Sequence, residues 1–167
     1  LGMPYTPAAD WVDLYYDGVY RGTYLVSETN AVGSTGVDIT GMETAYAAVN
    51  ADYGGDMITA AAENRYGRTY RYTAGLTEPA DITGGYLLAR SDTAKAKQDA
   101  ANGFVTARGC AMNVQSPAWC GRDAMAYISE YYQAFEDAVY AQDAAGNYTG
   151  YNAETGKYYY EYCDLTS

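Results

Sequence analysis

The sequence predicts an α+β chain with an antiparallel, hairpin-rich sheet and one long helix. Three observations predict it. Hydrophobic residues make up 49% of the 167 residues, enough for a folded core rather than a disordered segment. Two β-rich runs, 11–16 and 19–27, flank Asp17-Gly18. From Arg122 onward, apolar residues recur at steps of three and four.

The hairpin is the clearest local signal. Asp-Gly as a two-residue loop favours a type I′ turn, because both central residues need positive φ. With Tyr16 opposite Val19, one face is expected to carry Trp11, Tyr15, Tyr20 and Tyr24. The other is expected to carry Val12, Leu14, Val19 and Leu25. Both faces are apolar, so the hairpin is expected to pack on both sides or to sit inside a larger sheet.

Residues 30–36 read as a turn-rich loop, followed by a short β-like stretch at 37–39. The alanine-rich segment 44–51 predicts a short helix, broken by Tyr53-Gly54-Gly55. From Met57 to Tyr72 the pattern is weak, which points to an irregular or short-strand insertion. Asp81-Ile82-Thr83 leads through Gly84-Gly85 into a short strand at 86–88. The pair of glycines is better explained by a tight turn than by a phosphate loop. Residues 91–101 are polar and read as a loop. Residues 104–106 and 112–114 read as strands around a turn near Arg108-Gly109.

Residues 122–142 are the strongest helix. Met125, Ile128, Tyr132, Phe135 and Val139 form its apolar stripe, and the stripe reads as core packing. Glu130, Gln133 and Asp137 are expected to face water. Asp123 complements the positive N-terminal end. Residues 143–157 read as a loop, and Asn147-Tyr148-Thr149 is a formal glycosylation sequon that fits a surface position. Asp164-Leu165-Thr166 offers a helix-start signal.

Composition narrows the function. Ten Lys plus Arg stand against twenty-one Asp plus Glu, a net charge of −11. That surface repels phosphate backbones, which argues against nucleic-acid binding. No apolar run is long enough to span a membrane as a helix. Histidine is absent, which removes Ser-His-Asp and Cys-His catalysis and His-based metal sites. No Cys-x-x-Cys pair occurs, so no zinc site is expected. Cys110 and Cys120 flank a short segment and read equally as a small disulfide loop or as free thiols. The 21 tyrosines suit contact surfaces, since each has an apolar body and a polar tip. The chain starts with Leu1-Gly2-Met3-Pro4 rather than an initiator Met, which fits a processed or excised chain.

Several stretches, in order, resemble the spore coat protein H-like (CotH) kinase family. Val12-Asp-Leu-Tyr-Tyr-Asp-Gly-Val-Tyr-Arg-Gly-Thr-Tyr-Leu-Val-Ser-Glu28 is similar to the family's hairpin, with an Asn-Gly or Asp-Gly turn, a Tyr-x-Gly-x-Tyr and a closing Glu. Asp81-Ile-Thr-Gly-Gly-Tyr-Leu-Leu88 resembles its Gly-Gly-Tyr-Leu-Leu strand. Gly103-Phe-Val-Thr-Ala-Arg-Gly109, Ser116-Pro117 and the helix from Tyr127 to Ala138 resemble the segment that follows. Tyr162-Cys-Asp-Leu165 is similar to the start of the next helix. Each motif alone is weak; their order is the more specific signal.

The resemblance implies an internal part of a divergent protein-kinase-like fold that transfers the γ-phosphate of ATP to Ser residues of partner proteins with Mg²⁺. It also implies a secreted, cell-surface or spore-surface protein. Such transfer needs a cation on the phosphates, carboxylates on Mg²⁺ and a group orienting the acceptor hydroxyl. The family's lysine region is expected before residue 1, and its metal-binding and catalytic region after residue 167. The whole chain, 1–167, then reads as a single partial domain without catalytic or metal-ligating residues of its own. ATP and Mg²⁺ are implied by the family only, and neither is expected on this chain alone. Three residues carry over as cofactor-binding candidates. Glu28 resembles the kinase glutamate that pairs with a lysine, and reads equally as a strand-end carboxylate. Arg90 and Asp92 follow the Gly-Gly strand at the edge of a nucleotide cleft, or stand as a solvated strand end. Where family members often carry an acidic residue, this chain has Ala89.

A second class of function fits the same composition: a structural or adhesive surface or filament subunit built on that domain. A third is a glycan-binding module, with Trp11 and Trp119 as stacking candidates. The expected partners are another protein or further copies of the chain, with no nucleic acid and no membrane span.

Overall fold

The computed structural model describes residues 6–28, 32–33, 37–91 and 101–163. Among the described residues the fold is mixed α and β, with antiparallel sheets and two helices, one of them long. The expectations for residues 92–100 and for the helix start at 164–166 lie outside the described residues. The chain forms two compact units, Leu1–Ile39 and Thr40–Thr166.

The first unit is built on the hairpin of β1 (Ala9–Tyr16) and β2 (Val19–Ser27). Asp17 and Gly18 have φ of 51° and 73°, the type I′ geometry that Asp-Gly favours. The pairing starts as expected, with Tyr16 opposite Val19 and Tyr15 opposite Tyr20, and then shifts: Leu14 faces Gly22, so Arg21 is an extra residue. Gly22, at φ 120°, takes a backbone conformation that side chains disfavour. A one-residue bulge exchanges the faces of everything beyond it. Leu25 therefore stands opposite Trp11, and Tyr24 opposite Val12, which reverses the expected placement of both. Tyr20, Thr23 and Asp13 are joined on one face by their side-chain oxygens, with Thr23 Oγ1 2.7 Å from Asp13 Oδ1. The sheet has two strands, not more, and its apolar residues are exposed, Trp11 by 68%. The expected packing on both sides is absent among the described residues.

The second unit holds a five-stranded antiparallel sheet of β3 (Ile58–Glu63), β4 (Thr69–Ala74), β5 (Leu87–Ser91), β6 (Gly103–Val105) and β7 (Ala111–Ser116). Its order is β3-β4-β6-β7-β5. Helix α1 (Met42–Val49) precedes the sheet, and α2 (Arg122–Val139) follows it. Segment 57–72, weak in sequence, is in fact a regular hairpin in which Ile58 pairs with Ala74 and Glu63 with Thr69. Its turn is held by the buried Asn64, whose Oδ1 accepts the N–H groups of Tyr66 and Arg68, both at 3.0 Å.

Helix α2 lays Met125 and Ile128 on the sheet with Tyr70, Phe104, Met112 and Val114. Phe104 and Tyr132 meet at 5.8 Å between ring centroids. A second cluster joins Met42 and Tyr46 of α1 to Ala124. Within residues 143–157, expected as loop, Tyr151–Asn152 (β8) pairs with Lys157–Tyr158 (β9). A single 3-10 turn, Tyr159–Glu161, follows. The thiols of Cys110, Cys120 and Cys163 are free in the structure. Among the described residues no helix is long and apolar enough to cross a membrane.

Candidate functional site: an arginine and aromatic cavity at the C-terminal half of α2

The β6–β7 turn, 106–110, rests on the buried polar side of α2. Gln133 was expected to face water, yet it is only 2% exposed. Its Oε1 accepts the N–H of Ala107 at 2.8 Å. Glu136 is buried as well: its Oε1 accepts the Thr106 hydroxyl at 2.7 Å, and its Oε2 the N–H of Arg108 at 3.4 Å. The Thr106 hydroxyl in turn accepts the N–H of Cys110 at 3.0 Å. The turn pairs the N–H groups of Thr106, Gly109 and Cys110 within itself, and the helix supplies the acceptors for Ala107 and Arg108. Gly109, with φ of 82°, closes the turn.

This arrangement holds Arg108 at the end of α2. Its guanidinium lies 3.9 Å from the centroid of the Tyr140 ring, a cation–π contact. Arg90 lies on β5, opposite Met112 of β7. Arg90 and Arg108 line one cavity of about 370 Å³ with Cys110, Tyr132, Phe135 and Glu136. Burial pushes the Tyr132 phenol above its ordinary pKa, helped by Cys110 and opposed by Arg90. Two guanidinium groups beside aromatic rings are chemistry suited to a planar or phosphate-bearing anion.

The three residues singled out in sequence have different fates. Arg90 lines this cavity. Glu28 belongs to the first unit, where its Oε2 accepts the N–H of Ala8 at 3.0 Å and its own N–H reaches the Ala8 carbonyl at 2.9 Å, closing the open end of the hairpin. Asp92 lies outside the described residues. Sequence reading passed over Arg108, Gln133 and Glu136. Its only clue was the Thr106-Ala-Arg-Gly109 turn, since Gln and Glu within a helical pattern read as solvent-facing. Among the described residues, no group of three or more Cys, Asp or Glu side chains gathers in a way that holds a metal ion.

No protein-family model, curated protein or solved structure matches this chain.

Proposed function

We propose that this chain is an internal section of a secreted or surface kinase domain of the CotH-like class. On that reading the complete domain transfers the ATP γ-phosphate to Ser residues of a partner protein, and the chain alone is inactive. The supporting observation is the order of the resembling motifs, four of which coincide with described elements or their turns. Asp17-Gly18 is the β1–β2 turn, Gly84-Gly85 leads into β5, Gly103–Gly109 is β6 with its turn, and 127–138 lies in α2. The Arg90 and Arg108 cavity is consistent with an anionic cofactor at the edge of such a domain.

The test compares this chain with the gene product carrying its flanking sequence. The longer product is expected to label Ser with the γ-phosphate of Mg-ATP, and Arg90→Ala is expected to weaken its nucleotide binding roughly tenfold, the loss of one charge-assisted contact. The chain alone is expected to bind no Mg-ATP. Micromolar affinity in a calorimetric titration of the chain contradicts its inactivity; a longer product that neither binds nor transfers contradicts the kinase reading.

One observation favours a second reading, a structural or adhesive surface or filament subunit. The β1–β2 hairpin exposes Trp11, Tyr15 and Tyr20 on one face and Tyr16 and Tyr24 on the other. Exposed aromatic strands are good material for contacts between subunits. Concentration-dependent assembly of the purified chain, abolished by Trp11→Ser with Tyr24→Ser, supports that reading; a monomer at all concentrations rules it out.

A further inference from the structure

A second cavity lies elsewhere in the second unit, beside α1. It encloses about 440 Å³, within the range of small-molecule sites. Its walls include Tyr46, Tyr53, Met57, Leu76 and Trp119, with Glu43 at one side. Trp119 is 51% exposed, a large apolar ring left open to solvent.

Most polar groups on these walls are already engaged. The Tyr46 hydroxyl donates to Glu78 and accepts the N–H of Gly121 at 3.0 Å. The Tyr53 hydroxyl lies 3.1 Å from the Asp56 carbonyl and 3.3 Å from that of Ala74. Asn50 donates through Nδ2 to the carbonyls of Tyr46 and Thr77 and accepts the N–H of Thr77 through Oδ1. The two tyrosines therefore offer the cavity ring carbon rather than hydroxyl. A sugar, which needs several donors and acceptors, finds little to bond.

Glu43 is the one charged side chain on the walls. Its Oε1 accepts the N–H of Ala118 at 3.0 Å, and no donor among the described residues reaches Oε2. A carboxylate fixed beside Tyr and Trp rings attracts a weakly hydrated organic cation, through both charge and the ring faces. The chain's net charge of −11 adds long-range attraction of the same sign.

We propose that the cavity beside α1 is a binding site for an alkylammonium ion on a short apolar body, with Tyr53 and Trp119 as the aromatic wall and Glu43 as the counter-charge. The site is independent of phosphoryl transfer.

Trp119 reports on its own occupancy. The protein has two tryptophans, so Trp11→Phe leaves Trp119 as the only one, and Trp11 lies in the other unit. Choline is titrated against 3,3-dimethylbutan-1-ol, its neutral isostere, while Trp119 emission is followed. The expected result is saturable binding of choline with a Kd of about 1 mM or tighter, and at least tenfold weaker binding of the alcohol. Glu43→Gln keeps an acceptor for the Ala118 N–H and is expected to weaken choline binding about tenfold. Equal binding of the two probes overturns the proposal by making the site merely apolar. So does saturation by cellobiose but not by choline, or no response to choline up to tens of millimolar. The comparison of probes on the Trp11→Phe protein decides the matter even if Glu43→Gln fails to fold.

Discussion

Replacing Gly121 is expected to be costly chiefly because of Glu78. Gly121 is the N-cap residue of α2, with an ordinary φ of −74°, so backbone strain is not the reason. A Cβ built there meets Glu78 Oε1 at 2.2 Å. That carboxylate reaches across to accept the N–H of Asp123 at 2.8 Å and of Ala124 at 3.4 Å, and takes the Tyr46 hydroxyl on its other oxygen. It therefore caps the helix in place of a local Ser, Thr or Asp. To relieve the clash in Gly121→Ala, the carboxylate must retreat by more than 1 Å, roughly the gap to normal van der Waals contact. That breaks the bond to Asp123 and disturbs Tyr46. The loss of a charge-assisted hydrogen bond at a helix end is about 2–3 kcal/mol. In a Glu78→Ala background nothing remains to clash, and the substitution costs only the Gly-to-Ala difference at an N-cap, about 0.5–1 kcal/mol. Urea unfolding of the four proteins of this double-mutant cycle should give a coupling near 2 kcal/mol. Equal costs for Gly121→Ala in both backgrounds would refute the reasoning.

Other consequences follow from single residues. A Cβ at Gly85 meets the Thr40 carbonyl oxygen at 1.8 Å, and φ there is 83°, so Gly85→Ala should destabilise the protein by roughly 3 kcal/mol or more in the same urea assay. The Asn147 side chain, then its backbone N–H, hold the Asp143 carboxyl below its ordinary pKa. The loop stabilisation this gives is full at neutral pH and is lost as pH falls through that depressed value; Asn147→Ala should raise the Asp143 midpoint in an NMR titration. Burial, with Glu78 and Glu43 nearby, pushes the Cys120 thiol far up, whereas Cys163 is exposed. A maleimide should label Cys163 in the native protein and Cys120 only after unfolding.

The elements were legible where local chemistry and tertiary packing agree. Asp17-Gly18 tolerates the positive φ that a two-residue hairpin turn demands, and the Met125, Ile128 and Tyr132 stripe needs a core. Tertiary demands hid the rest. The bulge at Arg21 leaves no trace in apolar alternation, and it moved Tyr24 and Leu25 to opposite faces. Residues 58–63 include three consecutive alanines, which pack poorly as a strand signal, yet they pair along the whole of β4. The candidate cavity was half visible: Arg90 was picked out beside its strand, but Arg108 depends on Gln133 and Glu136, two polar residues whose buried oxygens accept the Ala107 and Arg108 N–H groups of a turn distant in sequence. Glu28 read equally as a lysine partner or a strand-end carboxylate, and it closes its own hairpin through Ala8.

The most direct measurement is phosphotransfer by the longer product that the proposed kinase reading requires, incubated with Mg²⁺ and γ-labelled ATP. The account predicts label on Ser residues of a protein substrate, and none when the 167-residue chain is used alone. A longer product that binds no nucleotide and transfers no label, or a gene that encodes no longer product, would contradict it.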